Sequence, residues 1–296
     1  MWIWLVLLYG LLKGCREICK KKALLTSSAI EVLLIYTCVS FLLVVPDAKN
    51  AMGMEPRFFL FVAIKSFVIF LAWIMSFIAI RNLPLSMYGV LDLSRVLFST
   101  LLGVVILGET MTVLHTFGLI LVCSGLLLLK VRLKMPQTQP AAEAELPDNL
   151  RNIQKRYSAG IITVALISCM LNSVSGLMDK LLTRHITSSQ LQFWYMLFLS
   201  LLYILYAFLM REKISVKRAL TNKWIWLLSI MFVIADRALF IANADPTSEV
   251  TVMTLLKQAG AVVTILAGKF LFKEKNVGHK LICAAIIIVG IMLGVL

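Results

Sequence analysis

Six ionisable side chains stand inside long apolar runs of this sequence: Lys65, Asp92, Arg95, Asp236, Arg237 and Lys257. An ionisable group at the centre of a bilayer costs about 2.5–3.5 kcal/mol when it faces lipid. Six together would cost about 15–20 kcal/mol, more than the stability of most domains. Most of them must therefore face a protein interior or a water-filled cavity. Two arrangements meet that demand. In one, the charges neutralise each other, Asp92 with Arg95 one turn away and Asp236 with a basic neighbour, while Lys65 pairs or snorkels. In the other, the bases line a cavity and receive an acidic group of a ligand. Four deep bases against two deep acids favour an anionic or zwitterionic ligand. Guanidinium also offers carboxylate or phosphate a bidentate fork that an ammonium lacks. Arg95 and Lys257 are expected to contact that group, with Asp92 orienting Arg95.

Helical spacing assembles more of the site. Tyr88, Asp92, Arg95 and Ser99 recur at +4, +3, +4 and share one face. Ser168, Asn172, Ser175 and Asp179 form a second stripe, and Thr247, Thr251, Thr254 and Gln258 a third, with Lys257 at its edge. Asp236 and Asn243, seven apart, share a fourth face. One polar stripe could be a helix–helix seam; four carrying charge favour a solvated cavity. Adjacent residues point about 100° apart on a helix, so Asp236 and Arg237 cannot both face its centre. Trp73 and Trp194 lie deep or beside polar residues and are candidate wall residues. Trp2, Trp4, Trp224 and Trp226, near run ends, read as interfacial anchors. The candidate site is therefore Arg95, Lys257, Asp92, Tyr88, Asp236, Arg237, Lys65, Asn172, Trp73, Trp194, Thr254 and Gln258.

Catalysis has little support in the residues. His115, His185 and His279 fall in loops or at helix ends, with no HExxH, no GxSxG and no acidic cluster of metal-ligand spacing. No enzyme activity, cofactor or metal is expected. The chain has no Walker A loop, so it does not drive transport with ATP. The six cysteines lie in or beside apolar stretches without a CxxC pair, which fits membrane packing.

The elements that must position these residues are membrane helices. The 296 residues are 60% hydrophobic and 15% charged, with mean hydropathy +0.93. Soluble domains are roughly 45–50% apolar and about 25% charged, so an ordinary soluble enzyme is excluded. The fold class is an all-α polytopic membrane protein. Ten apolar runs can be read at 2–22, 27–45, 57–80, 84–108, 112–131, 157–177, 189–210, 223–243, 246–272 and 278–296. The first is the weakest, interrupted by Lys13, Arg16, Glu17 and Lys20. It lacks a basic leader and a small-residue cleavage site, so it reads as a retained span. A polar stretch at 132–156, with Pro136, Pro140 and Pro147, reads as a linker between two five-helix halves, 1–131 and 157–296. The halves share landmarks. Gly103 precedes Glu109 by six residues and Gly125 follows it by sixteen; Gly268 and Gly290 keep the same distances from Glu274. An odd helix number per half inverts the second, an arrangement of transporters with a midplane site.

The net charge of +14 sits largely at helix ends, which argues for membrane topology and against nucleic acid. Alternate loops give 19 basic residues on one face and 4 (Lys49, Arg57, Lys180 and Arg184) on the other. The positive-inside rule then makes both termini non-cytoplasmic, in a multi-pass protein of the cell (inner) membrane. The partners expected are the lipid bilayer and a small-molecule solute; a homodimer is compatible with this composition.

The segments 82–109 (NLPLSMYGVLDLSRVLFSTLLGVVILGE) and 251–275 (TVMTLLKQAGAVVTILAGKFLFKEK) resemble the fourth and ninth helices of EamA-type members of the drug/metabolite transporter superfamily. The phrase at 175–195 is like the junction of the sixth and seventh helices. The resemblance covers essentially the whole chain. It implies ten helices in two inverted repeats and secondary active or facilitative transport of a small metabolite by alternating access. In relatives that carry phosphorylated substrates, a ninth-helix lysine resembling Lys257 lies in the site. Gln258 departs from their pattern, where a second basic residue can stand. The rival readings are export of cationic or neutral solutes or amino acids, a membrane-embedded enzyme, and a lipid scramblase.

Overall fold

The computed structural model describes residues 2–107, 113–134, 148–211, 214–245, 253, 256–274 and 277–293. Among them every regular element is helical. In chain order these are α1 (Trp2–Ala23), α2 (Ala29–Val44), a 3₁₀ turn (Val45–Asp47), α3 (Ala48–Ala51), α4 (Pro56–Asn82), α5 (Leu85–Asp92), α6 (Ser94–Leu107) and α7 (Val113–Lys134). They continue as α8 (Asp148–Leu182), α9 (Ser188–Leu209), α10 (Val216–Thr221), α11 (Lys223–Ala244), α12 (Ala259–Phe270) and α13 (Val277–Leu293). Among the described residues, five helices are long and apolar enough to cross a membrane: Ala29–Ala51, Pro56–Asn82, Ala159–Leu182, Ser188–Leu209 and Lys223–Ala244. Large apolar side chains point outward along the bundle, among them Leu60, Phe208 and Phe270, as a lipid-facing surface requires.

Local chemistry sets the helix starts. Ser28 caps α2 in a capping box with Glu31, and Thr187 caps α9 in another with Gln190. Both caps follow a short turn out of a long polar-striped helix, α1 and α8. The apolar run 84–108 is two helices, not one. It breaks at Leu93, whose N–H reaches back only to Val90 O (3.2 Å) while Val96 N takes Leu93 O (3.1 Å). The same tightened step recurs ahead of α12, where Ala261 N bonds to Gln258 O at 2.9 Å.

Turn contacts sort the loops onto two ends of the bundle. Lys21, at the end of α1, donates to Ile80 O (2.5 Å) and Leu83 O (2.7 Å) at the end of α4. Asn222, before α11, donates to Thr26 Oγ1 at 3.0 Å. At the opposite end, Gln190 donates to Met52 O (3.2 Å) and Trp194 Nε1 to Ala51 O (3.0 Å). In the interior, α1 packs on α11 and α12, while α8 packs on α4 and α6. The helix α2 meets α9 and α11, and α4 meets α9; α5 faces α12 and α7 faces α13.

Glu274 ties the last contacts together. Its carboxylate accepts from Leu85 N (2.5 Å) and Ser86 N (3.2 Å), and also from Ser86 Oγ, while Lys280 Nζ donates to Ser86 Oγ at 2.6 Å. An anion here satisfies the otherwise unpaired N–H groups that open α5 and favours its dipole. Glu274→Gln is expected to lower stability by about 1–2 kcal/mol, read as a fall in the unfolding temperature in detergent. An unchanged temperature would remove the cap from the account. Glu109, the matching landmark of the first half, lies outside the described residues.

Candidate functional site

A cavity of about 250 Å³ lies among α1, α2, α4, α6, α8, α9 and α11, closed by Lys257 and Gln258 just ahead of α12. Seven basic side chains line it: Lys13, Arg16, Lys20, Lys65, Arg95, Lys180 and Lys257. Three carboxylates join them, Glu17, Asp179 and Asp236. Asp92 stands directly behind, bonded to two of the bases.

The charges form clusters along the cavity. Asp92 binds Lys13 Nζ at 2.5 Å and Arg95 Nε at 2.6 Å, so one carboxylate joins α1, α5 and α6. Asp236 binds Arg16 Nη1 at 3.2 Å and accepts from Tyr195 Oη at 3.5 Å. Glu17 holds Lys20 Nζ at 2.7 Å near the α1–α2 end. Toward the other end, Lys65 Nζ binds Asp179 at 3.0 Å and stands 3.5 Å from the Tyr195 ring centroid. Buried charges need such partners, and desolvation offsets much of each pair's attraction. What remains for a ligand is uneven. Lys257 makes no ion pair among the described residues. Arg95 commits its Nε to Asp92 and still lines the cavity, with 21% of its side chain exposed. Ser175 Oγ, Arg16 Nε and Glu17 Oε2 are buried with no hydrogen-bond partner among the described residues. Tyr36, Trp73 and Phe232 form the aromatic wall, with centroids 5.2–5.4 Å apart, and Arg16 lies 4.9 Å over Phe232.

Of the twelve residues singled out from sequence, Arg95, Lys257, Asp236, Lys65, Asn172, Trp73 and Gln258 line this cavity. Asp92 supports it from behind. Tyr88 is fully buried and shares a hydrogen bond of 2.7 Å with Ser76, a lining residue. Asp236 faces the cavity and Arg237 does not; Arg237 pairs instead with Asp47, at the far end of α2. Trp194 also lies away from it, with its ring edge-on to Phe59 at 4.6 Å and its N–H on Ala51 O. Thr254 lies outside the described residues.

The largest addition is α1. Its charges read in the sequence as interruptions, and Arg16 and Lys20 as loop residues. All four, Lys13, Arg16, Glu17 and Lys20, are helical and 4–7% exposed. A signal was present: Tyr9, Lys13, Arg16 and Lys20 recur at +4, +3, +4, the spacing of the Ser168–Asp179 stripe on α8.

The sequence profile of the nucleotide-sugar transporter family matches residues 23–241. The chain belongs to the nucleotide-sugar transporter family. That family is part of the drug/metabolite transporter superfamily, and its members are membrane solute transporters, not enzymes. Comparison with curated proteins gives no match. Twenty-four chains of solved structures match the fold. One crystal structure aligns with a TM-score of 0.62 over 99% of this chain and 95% of its own, at 16% identity. At that identity the likeness concerns the fold alone.

Proposed function

We propose that this nucleotide-sugar transporter family member is a secondary transporter that carries an anionic, phosphorylated solute of the nucleotide-sugar class by alternating access. The observation that carries the substrate class is the cation excess of the cavity: seven basic side chains against three lining carboxylates and Asp92. A diphosphate brings two negative charges that this wall can neutralise. Lys257, which makes no ion pair among the described residues, is the cation least committed to the protein, and Arg95 is its proposed partner on the solute. The aromatic wall at Trp73 and the hydroxyls and amides of Ser175, Asn172 and Asn243 suit the uncharged ends of such a molecule. Every carboxylate lining the cavity, and Asp92 behind it, already holds a base, which favours exchange or facilitated transport over proton coupling.

Alternating access rests on two inverted five-helix halves, ten helices in all, as in EamA-type relatives. The packing supports this reading. Exchanging the halves turns the contacts of α1 with α11 and α12 into those of α8 with α4 and α6. A shift of 165 residues carries the break at Leu93 onto the one at Gln258, Asp92 onto Lys257, and Gly125 onto Gly290. The last two glycines sit in one contact: a Cβ on Gly125 would meet Ile287 at 2.5 Å, and one on Gly290 would meet Gly118 O at 2.8 Å. Breaks of this kind near the midplane are where transporters of this design bind solute. We place the α1–α2 end in the cytoplasm. With Arg16, Lys20 and Lys180 assigned to the cavity, the basic count still stands at seventeen against three.

The test is counterflow in liposomes preloaded with a panel of nucleotide sugars, with amino acids and cationic amines as the comparison. At least one nucleotide sugar is expected to exchange. Lys257→Gln and Arg95→Gln should each lose about tenfold or more in its ligand-induced thermal stabilisation and exchange, since a hydrogen bond to a charged group is worth about 1.5–3 kcal/mol. If both variants exchange the solute as the parent does, the site lies elsewhere. Exchange of amino acids or amines alone would overturn the substrate class.

A further inference from the structure

A second concavity, of about 670 Å³, lies at the α1–α2 end of the bundle, where the turn after α1, the end of α4, Met210 and Arg211 after α9, and Arg218 of α10 meet. Three guanidiniums line it, Arg81, Arg211 and Arg218. None of them makes an ion pair among the described residues. Among the described residues one carboxylate lines it, and both its oxygens are already hydrogen-bonded: Glu31 Oε2 accepts from Ser28 N and Oε1 from Ser215 N, both at 2.9 Å. Ser27 lines the concavity, is 5% exposed, and holds a buried hydroxyl with no partner among the described residues. Among the described residues, three guanidiniums against one carboxylate, with a hydroxyl that has no partner, are the complement of a multiply hydrogen-bonding anion.

We propose that this concavity binds the phosphate of an anionic phospholipid headgroup. Guanidinium forks match phosphate oxygens in pairs, which lysines at the same positions would not. The rim supplies the argument for a lipid over free phosphate. Leu25 and Met210 line the same hollow and are 68% and 60% exposed. A free ion gives these two side chains nothing to cover, whereas the glycerol and first methylenes of a lipid cover both. Basic pockets at membrane-protein helix ends take anionic headgroups by this combination of charge and apolar contact. The assignment is independent of what the central cavity carries.

Native mass spectrometry of the purified full chain in detergent tests it, with phosphatidylglycerol, phosphatidylcholine and inorganic phosphate as probes. Phosphatidylglycerol is expected to stay bound as one copy and phosphatidylcholine to be lost. The triple variant Arg81→Gln/Arg211→Gln/Arg218→Gln should weaken that retention at least tenfold, and Leu25→Ser/Met210→Ser should weaken it without abolishing it. Should the glutamine variant not fold, the triple arginine-to-lysine variant keeps the charge, removes the forks, and is still expected to bind less. Retention equal to the parent in either arginine variant would overturn the site. Displacement of the lipid by equimolar inorganic phosphate, or no effect of the Leu25/Met210 change, would overturn its assignment to a lipid.

Discussion

Asp92→Asn is expected to lower stability by about 3–5 kcal/mol, the usual cost of removing one partner from a buried charge pair. Asp92 is 4% exposed and is the ion-pair partner of both Lys13 and Arg95 among the described residues. Asparagine keeps the shape and removes the charge, so buried Lys13 and half-buried Arg95 would both lose their compensation. Lys13→Gln should cost less, because Asp92 then still holds Arg95. An exposed pair supplies the control. Arg57 and Glu55 also stand 2.7 Å apart, but their side chains are 68% and 61% exposed, so Glu55→Gln should change stability by less than about 1 kcal/mol. Unfolding midpoints in one detergent compare the three. An Asp92→Asn midpoint equal to that of Glu55→Gln would show that Asp92 does not hold the two bases.

How much of this was legible in the sequence depended on distance along the chain. The Asp92–Arg95 contact is an i,i+3 pair, and helix geometry alone brings the two together. The partner of Lys65 was not readable. Asp179 stands 114 residues away on α8, and only the packing of α4 against α8 joins them. The angular argument separated Asp236 from Arg237 correctly but could not choose between them; the 3₁₀ turn that presents Asp47 to Arg237 decides it. Trp194 looked like a wall residue because polar neighbours surround it, yet Gln190 serves the helix start at Thr187 and Gln192 donates to Val233 O. The α1 stripe was misread for a different reason. Dense charge marks helix ends in most membrane proteins, and charge density alone does not distinguish a helix end from a helix that lines a polar cavity. What tells them apart is the regular +4, +3, +4 spacing and the small residues Gly10 and Gly14 on the same helix.

Those glycines carry the last prediction. The α1 and α12 backbones approach closely at Gly10, Gly14 and Gly260. A Cβ on Gly260 would lie 2.5 Å from Gly10 O, and one on Gly14 would lie 2.6 Å from Gly260 O. The obstruction is backbone, not a flexible side-chain tip, so neither helix can yield without moving as a unit. Membrane helices depend on such close contacts because lipid offers them no hydrophobic drive to associate. In the 165-residue register proposed above, Gly260 corresponds to Arg95, so the same helix position serves charge in one half and close approach in the other. Gly260→Leu would push α1 away from α12 and carry Lys13 and Arg16 with it, breaking their pairs with Asp92 and Asp236. We therefore expect Gly260→Leu to abolish recovery of folded, monodisperse protein. Gly260→Ala should fold with a cost above the roughly 1–3 kcal/mol typical of overpacking and lose ligand-induced stabilisation. Gly160→Ala is the control, since a Cβ there meets nothing within 4 Å and alanine is the better helix former. If Gly260→Leu folds and exchanges solute as the parent does, the α1–α12 contact does not position the cavity, and the role assigned to the α1 charges falls with it.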